Sequence, residues 1–351
     1  PFAKAQVQGW LDTYVGGAHA KQLVDQEIAK WNDFQQNTVN VPAAGGASDE
    51  SLARQSAVML HMGQVRENKT FLRDKISNDG EPRYTRMGTV LGGPPAVLPA
   101  EVEHRGKGAV LASLPPGEWT YAWIRDGAYA VSAMSVLGMN SEARDALKFY
   151  LDADSGRFQF WNELKDYAMP PYQISLVRYL GFGIEETDFN EYGPNLEFDG
   201  FGLFLWALRN YEDLSGDKTL VDGYWPVISN KVADTLVGLI DPTTGLIKKD
   251  SSIWETLCNG RERSWAYTSI TAARGLCDAA VLAARVGDNT RADLYKAKGM
   301  AIREAIASKL TDSMGAIASN TEELYKGSGY WDAAVVEGIA MGLFDPKGQI
   351  A

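Results

Sequence analysis

Three short segments of this sequence combine carboxylates with tryptophan, tyrosine or arginine. They are Trp119-Thr-Tyr-Ala-Trp-Ile-Arg-Asp-Gly127, Asn195-Leu-Glu-Phe-Asp-Gly200 and Ser251-Ser-Ile-Trp-Glu-Thr-Leu-Cys-Asn-Gly260. In a carbohydrate site an aromatic ring stacks on the C–H face of a sugar, while charged side chains bind the hydroxyl groups. The residue types in these segments are therefore suited to binding a sugar.

Glu255 is the candidate proton donor. It lies beside Trp254 in a predicted loop, with no helical cation four residues away that would explain it as a surface ion pair. An apolar neighbour raises the pKa of a carboxyl group. A carboxyl group that stays protonated near neutral pH can protonate a glycosidic oxygen, so the sequence predicts a general acid at this position.

Asp126 and Asp199 allow two interpretations. Each stands before a glycine and an apolar helix, which is typical of a helix cap as well as of a binding group. Arg125 can likewise be a surface cation, a structural partner of Asp126 or a ligand-binding residue. If the helices that follow the three segments run parallel, the three acids lie at one end of the molecule.

The elements that must position these segments are predicted to be helices of two kinds. Residues 128–137 and 201–208 are apolar on nearly every face, which is typical of helices buried on all sides. Residues 141–152 and 291–310 are amphipathic and predict helices with one solvated face. The alternation predicts an all-α toroid of inner and outer helices rather than an α/β barrel, because strands between the helices are missing.

The chain is predicted to divide at about residue 50. Residues 1–50 form an N-terminal helix and a linker rich in proline, glycine, alanine and serine, and residues 51–351 form one domain. Ser48 and Asp49 are predicted to cap the next helix, and residues 68–120 contain short β-like runs such as 108–114. The predicted helices lie near 18–34, 48–65, 127–137, 141–152, 170–180, 200–213, 218–240, 264–285, 289–309 and 331–343, with helix-ending glycines at Gly138, Gly181 and Gly216.

Composition excludes several classes of function. The net charge of −11 argues against nucleic acid or an anionic membrane as a partner, and the apolar runs are shorter than the roughly 18–20 residues of a membrane span. The first residues lack a signal-peptide pattern, which leaves the localisation open.

No cofactor is predicted. His19, His61 and His104 lack metal-ligand spacing, and neither a phosphate-binding loop nor a nucleophile elbow occurs. Cys258 and Cys277 are predicted to be unpaired thiols, although one bridge is possible.

From about residue 50 onward, the three ordered segments resemble those of the glucoamylase family, glycoside hydrolase family 15. The resemblance implies an (α/α)6 toroid and an inverting mechanism, in which one acid protonates the leaving oxygen and a second carboxylate activates water. It assigns the general acid to Glu255. It implies a sugar-binding set of Trp119, Tyr121, Trp123, Arg125, Asp126, Asp199 and Trp254.

Two features depart from the family pattern. Thr256 stands where many fungal members have a second acid, which leaves the linkage preference open. Residues 330–346 resemble the helix before the last hairpins of the toroid, so we expect the domain to lack its last helices and the general base to lie beyond residue 351. A further C-terminal segment or a second chain would complete the barrel. The later glutamates do not have the position of the base, and Glu337 is assigned to an ordinary helix; they are Glu262, Glu304, Glu322, Glu323 and Glu337.

The leading hypothesis is an exo-acting hydrolase that releases glucose from starch-type, isomalto- or dextran-type α-glucans and oligosaccharides. A trehalose hydrolase is a close variant. One alternative is a carbohydrate-binding or regulatory pseudoenzyme on the same fold. Another is a helical scaffold without a ligand, in which the three segments would face different directions.

Overall fold

A computed structural model describes residues 8–9, 17–41, 46–66, 72–73, 102–103, 105–114, 117, 119–159, 169–187, 189–190, 193–255 and 262–350. This part of the chain is mostly helical. The helices are α1 Gly17–Asp33, α2 Ala47–Gly63, α3 Ile124–Val136, α4 Asn140–Asp152, α5 Asp199–Ser215, α6 Thr219–Ile228, α7 Asp234–Gly238, α8 Ala266–Arg285, α9 Asn289–Lys309, α10 Thr321–Lys326 and α11 Glu337–Ala340. The short strands are β1 Leu72–Arg73, β2 Val102–Glu103, β3 Tyr121–Trp123, β4 Arg178–Leu180, β5 Glu185–Glu186, β6 Phe189–Asn190 and β7 Gly193–Pro194.

The long helices form hairpins of one inner and one outer helix. The inner helices α3, α5 and α8 pack side by side in that order, and α4, α6 and α9 cover them from outside. A π-helical turn over Ser229–Ala233 joins α6 to α7. The fold is therefore the all-α toroid of the (α/α)6 type, and the predicted alternation of buried and half-exposed helices is confirmed.

The three inner helices begin at the same end of the molecule. A methyl group added to Gly200, at the start of α5, would lie 3.1 Å from Cβ of Ile124, the first residue of α3. The hydroxyl groups of Tyr129 in α3 and Tyr267 in α8 are 3.3 Å apart. The segments that precede these helices are thus brought to one end, as the sequence predicts.

Two glycines allow the inner helices α5 and α8 to touch along their backbones. A methyl group at Gly202 would lie 2.2 Å from the carbonyl oxygen of Thr271, and one at Gly275 would lie 2.5 Å from Cα of Gly202. Any side chain at either position would collide with the main chain of the neighbouring helix. The close contact holds the start of α5 against the first half of α8.

A small antiparallel sheet delivers the chain to the first inner helix. Strand β3 pairs with β4 in a register that puts Ala122 opposite Tyr179, and β4 pairs with β5. Strand β3 runs directly into α3. Arg125 and Asp126 therefore occupy the first turn of this helix.

The helix predicted over residues 170–180 is wrong. This stretch is irregular and ends in β4. Pro170 and Pro171 lack the N–H groups that a helix interior needs. Gly181 accordingly follows a strand instead of ending a helix, whereas Gly138 and Gly216 follow helices with φ of +75° and +72°.

The C-terminal and N-terminal helix predictions also need correction. In place of one helix over 331–343, a 3-10 turn over Ala333–Val336 leads into the short α11, because Asp332 caps that turn by accepting the N–H of Ala334. Helix α2 begins at Ala47 after Gly46, so Ser48 and Asp49 lie inside its first turn and do not cap it. The β-like run near 108–114 is represented by an isolated bridge between Gln64 and Val110.

The remaining predictions concern the cysteines, the histidines and membrane-spanning helices. Cys277 is a free thiol, whereas Cys258 and His104 lie outside the described residues. None of the described helices is both long enough and apolar enough to cross a membrane.

Candidate active site

The guanidinium group of Arg125 joins the first two predicted segments. Its Nη1 atom donates a 2.8 Å hydrogen bond to Oδ2 of Asp199 and a 3.1 Å bond to Oε2 of Glu197, which also accepts from Nη2 at 3.2 Å. The side chains of Glu197 and Asp199 are 2% exposed and that of Arg125 is 19% exposed. The first turn of α3 is thus tied to the start of α5 by a nearly buried ionic cluster.

The charges of this cluster depend on one another. Burial works against the charge of Arg125, but Asp199 and Glu197 outweigh it and raise the pKa of the guanidinium above its ordinary value. Burial raises the pKa of Glu197 well above the usual range, and the nearby Asp199 and Glu255 add to this, although Arg125 opposes it. Arg125 is therefore a fixed cation, and Glu197 favours its protonated form.

Asp199 does not act as a helix cap. The N-cap residue of α5 is Phe198, without a side-chain cap, and the Asp199 carboxylate accepts from Arg125 instead. Asp126 also lies inside its helix, because Trp123 occupies the N-cap position of α3. Asp126 is exposed in the first turn of α3 beside Arg125, where it can meet a ligand.

The buried carboxylate of Asp250 joins the second segment to the third. Its Oδ2 atom accepts the N–H of Phe198 at 2.9 Å and the hydroxyl of Thr268 at 3.0 Å. The N–H of Ser251 donates to the carbonyl oxygen of Leu196 at 2.8 Å. Burial raises the pKa of Asp250 well above its usual range. The loop that leads to Glu255 is therefore fastened to the start of α5.

Glu255 ends this loop in an uncommon backbone conformation. A 3-10 turn over Ser252–Trp254 precedes it, and both Ser252 and Glu255 have positive φ values, 49° and 48°. Such conformations cost roughly 1–3 kcal/mol each and are concentrated at functional sites. The Glu255 side chain is half-buried, and it is close enough to Glu197 to influence its pKa.

An aromatic wall stands beside the cluster. The rings of Trp119 and Tyr121 contact that of Trp123 edge to face, with centroids 5.9 and 5.7 Å away. Arg178 is buried beneath them, with its guanidinium carbon 4.7 Å from the centroid of Tyr121 and 5.0 Å from that of Trp123. Glu186 pairs with Arg178 at 2.5 Å. Trp119 is 53% exposed and Trp123 is 6% exposed, so Trp119 offers a free face and Trp123 supports it.

A second group of polar side chains lies near Arg125. It consists of Tyr129, Tyr267 and Glu337. Burial, reinforced by the Glu337 carboxylate, raises the pKa of Tyr129 to about 12, although the hydrogen bond with Tyr267 lowers it. Glu337, which the sequence assigns to an ordinary helix, begins α11 and lies close to Tyr129.

Sequence reasoning did not single out Glu197, Asp250, Tyr129 or Tyr267. A signal for Glu197 was present, since it is a further acid inside the same segment as Asp199. Asp250 carries no comparable signal, because its partners come from distant positions. Among the described residues there is no group of three or more histidine, cysteine, aspartate or glutamate side chains arranged to hold a metal ion.

Fold and sequence together identify a glycoside hydrolase built on a helical toroid. The chain belongs to glycoside hydrolase family 15, since the profile of "Glycosyl hydrolases family 15" matches residues 99–349. Among curated proteins no sequence matches the chain.

Solved structures of several glycosidases are similar in fold. The wild-type form of a glycosidase is 17% identical, with a TM-score of 0.58, over 87% of this chain and 69% of that one. The glucoamylase of Saccharomycopsis fibuligera is 13% identical, with a TM-score of 0.55, over 87% of this chain and 59% of its own. A bacterial glucoamylase solved with acarbose is 15% identical, with a TM-score of 0.52, over 88% of this chain and 35% of its own.

Proposed function

We propose that this protein is an inverting, exo-acting α-glucoside hydrolase that releases β-glucose from the non-reducing ends of α-glucans or oligosaccharides. The observation that carries the proposal is the Arg125–Asp199–Glu197 cluster, which lies at the start of the inner helices with Glu255 close to it. A fixed cation paired with buried carboxylates is suited to orienting sugar hydroxyls.

The proposed roles follow from position. Arg125, Asp126 and Asp199 bind the hydroxyl groups of the terminal glucose. The proposed walls of its pocket are Trp119, Tyr121, Trp123 and Trp254. Glu255 donates a proton to the leaving glycosidic oxygen as the bond to the sugar breaks.

Inversion then requires a water molecule on the opposite face of the sugar. A second carboxylate would activate it from about 6.5–9.5 Å away. No carboxylate of the described residues is assigned to this role. The similarity to a glucoamylase solved with acarbose supports an oligosaccharide as substrate.

The test is the replacement Glu255→Gln, assayed with maltose, isomaltose and trehalose. Loss of the proton donor should lower kcat by about 10²–10⁴-fold, with little change in sugar binding. Glu262→Gln is a matched control, because it removes another half-buried glutamate that lies only seven residues further along the chain. The anomer released first, followed by proton NMR, should be β-glucose.

Each contrary outcome has a distinct meaning. Full activity of Glu255→Gln would remove Glu255 from the mechanism, and early α-glucose would rule out inversion. Sugar binding by the unaltered protein without release from any of the three substrates would support the pseudoenzyme alternative. Preference for trehalose would keep the mechanism and change the substrate.

A further inference from the structure

The loop that carries the proposed acid is strained at two residues. Ser252 and Glu255 have φ values of 49° and 48°, and Trp254 ends the 3-10 turn between them. A residue other than glycine stays in such a conformation only where the surrounding structure imposes it. The buried Asp250 restrains the start of this loop, so a further restraint is of interest where the turn ends.

Asp332 supplies a restraint at the end of the turn. Its Oδ2 atom accepts the indole N–H of Trp254 at 3.0 Å, although 78 positions separate the two residues. Its Oδ1 atom accepts the N–H of Ala334 at 2.9 Å and caps the 3-10 turn that leads into α11. One carboxylate therefore joins the residue that precedes Glu255 to the C-terminal part of the chain.

The backbone before Asp332 is held by contacts of its own. The carbonyl oxygen of Tyr330 accepts the N–H of Ser319 at 2.8 Å, and its hydroxyl donates to Oδ2 of Asp312 at 3.0 Å. The rings of Tyr330 and Trp331 stack, with centroids 5.3 Å apart and planes inclined by 25°. Asp332 is therefore presented to the indole by a segment that is fixed independently of the acid loop.

We propose that Asp332 is a positioning residue for Glu255, and that its hydrogen bond to Trp254 maintains the strained turn that presents the acid to the leaving oxygen. The inference rests on the proposed function of Glu255. Without this bond the turn can relax toward an ordinary conformation, while the cluster around Arg125 keeps its own contacts. A misplaced proton donor impairs the transition state more than sugar binding, so kcat should fall while KM changes little.

Asp332→Asn tests the proposal, because an amide has one oxygen where the carboxylate has two. The N–H of Ala334 should keep that oxygen, since the indole of Trp254, which is 52% exposed, can bind water instead. On whichever of maltose, isomaltose and trehalose is cleaved fastest, we expect kcat to fall by about tenfold and KM to change by less than about twofold. The alkaline limb of the pH profile of kcat/KM should move to lower pH, because Glu255 becomes better hydrated.

Trp254→Phe removes the same hydrogen bond from the other side and keeps an aromatic ring. Combining it with Asp332→Asn should lower kcat no further than Trp254→Phe alone, because the bond is already absent. Additive losses in the double variant would overturn the inference. This comparison also decides the matter if Asp332→Asn alone folds poorly.

Asp288→Asn is the matched control, because Asp288 makes the same pair of contacts on the outer helices. Its Oδ1 atom caps α9 by accepting the N–H of Arg291, and its Oδ2 atom accepts the indole N–H of Trp225, both at 3.2 Å. It should leave kcat, KM and the pH profile unchanged. An equal fall of kcat in Asp288→Asn and Asp332→Asn would show that the loss comes from general destabilisation, and the inference would fail.

The hydrogen bond itself is followed by fluorine NMR of protein labelled with 5-fluorotryptophan, in which Trp254→Phe identifies the signal of Trp254 among ten. Asp332→Asn should shift this signal and Asp288→Asn should not. An unchanged signal, or a shifted signal with unchanged kcat, would overturn the inference and leave the proposed function standing. If the unaltered protein hydrolyses none of the three substrates, the proposed function fails and this inference fails with it.

Discussion

Arg125 and the carboxylates around it carry the electrostatics of the proposed site. Within a nearly buried cluster its guanidinium faces both Glu197 and Asp199. Neighbouring carboxylates in a low dielectric do not ionise independently, and one of them keeps its proton to a higher pH. The raised pKa of Glu197 identifies it as that residue. Its protonated form still accepts the hydrogen bonds that orient Arg125.

Glu197→Ala tests this orienting role. The change leaves Arg125 without one of its two acceptors and opens a buried polar space, so we expect a loss of about 1–3 kcal/mol in the free energy of unfolding. We also expect glucose binding to weaken by about tenfold, because Arg125 is no longer held toward the sugar. Glu197→Gln should recover most of both losses, since a neutral amide oxygen accepts the same bonds. Chemical denaturation and calorimetry measure the two effects.

Glu212→Ala provides the control for Glu197→Ala. Glu212 is also a nearly buried carboxylate paired with an arginine, Arg285, at 2.5 Å, but it lies toward the far end of α5. Its loss should reduce stability to a similar extent without changing glucose affinity. If both alanine variants weaken glucose binding equally, the effect of Glu197 is on folding alone.

At the scale of elements, the contact between α5 and α8 depends on the absence of side chains. Gly202→Ala would place a methyl group 2.2 Å from the main-chain oxygen of Thr271. Backbone cannot move aside as a flexible side chain can, so the two inner helices must separate. We expect a loss of about 2–3 kcal/mol in stability together with lower activity, because both helices begin at the proposed site. Urea unfolding and the maltose assay measure these effects.

Gly223→Ala is the matched control for Gly202→Ala. Gly223 lies inside α6 with no atom within 4 Å of the position that a methyl group would take. Alanine favours the helix there, so the free energy of unfolding should rise by about 0.5–1 kcal/mol. Changes of opposite sign in the free energy of unfolding would show that the loss at Gly202 comes from the close approach of α5 and α8 and not from replacing a glycine by alanine. Equal effects would contradict the packing argument.

The amphipathic helices were the elements best predicted from the sequence. The prediction of 289–309 coincides with α9, and that of 141–152 differs from α4 by one residue. Both helices show a solvated and a buried face, which is a local signal. The stretch 170–180 has no such local signal. The burial of Arg178 depends on Glu186 and on the ring of Tyr121, which belong to other strands.

The sequence identified only those residues of the proposed site that stand in a segment with recognisable residue types. Arg125, Asp199 and Glu255 stand in aromatic or glycine-bounded segments, and the structure brings their segments to one end. Asp250 lies in an ordinary stretch, and its importance arises from the N–H of Phe198 and the hydroxyl of Thr268. Contacts made across tens of residues leave no periodic trace in the sequence.

At the scale of the whole molecule, the native state holds protons that the unfolded chain releases. Burial raises the pKa of Glu185, Glu197 and Asp250 above their ordinary values. Glu185 lies on strand β5 of the sheet that carries the aromatic wall. It accepts hydrogen bonds from Tyr172 and from the N–H groups of Arg157 and Leu176, all near 3 Å.

Because the folded state binds these extra protons, the free energy of unfolding is predicted to fall as the pH rises. Burial raises the pKa of Glu185 from 4.5 to about 7, although its hydrogen bonds lower it. Between these values the folded state keeps a proton that the unfolded state has lost, so the contribution is fully present below about pH 4.5 and is lost as the pH approaches 7. At about 1.4 kcal/mol per unit of pKa difference, Glu185 alone accounts for a loss of about 3 kcal/mol between pH 4.5 and 8. Urea unfolding at pH 5 and pH 8 measures the difference.

Glu185→Gln separates this effect from general charge repulsion. Its side chain stays neutral, so the variant should lose less stability than the unaltered protein between pH 5 and pH 8, whereas the exposed Glu304→Gln on α9 should follow the unaltered protein. The chain carries a net charge of −11, and repulsion among exposed acids also grows with pH. Salt at about 0.5 M screens that repulsion but not a buried carboxyl, so the difference between the two variants should persist in salt. If salt abolishes it, surface charge and not the buried acids sets the pH dependence of this fold.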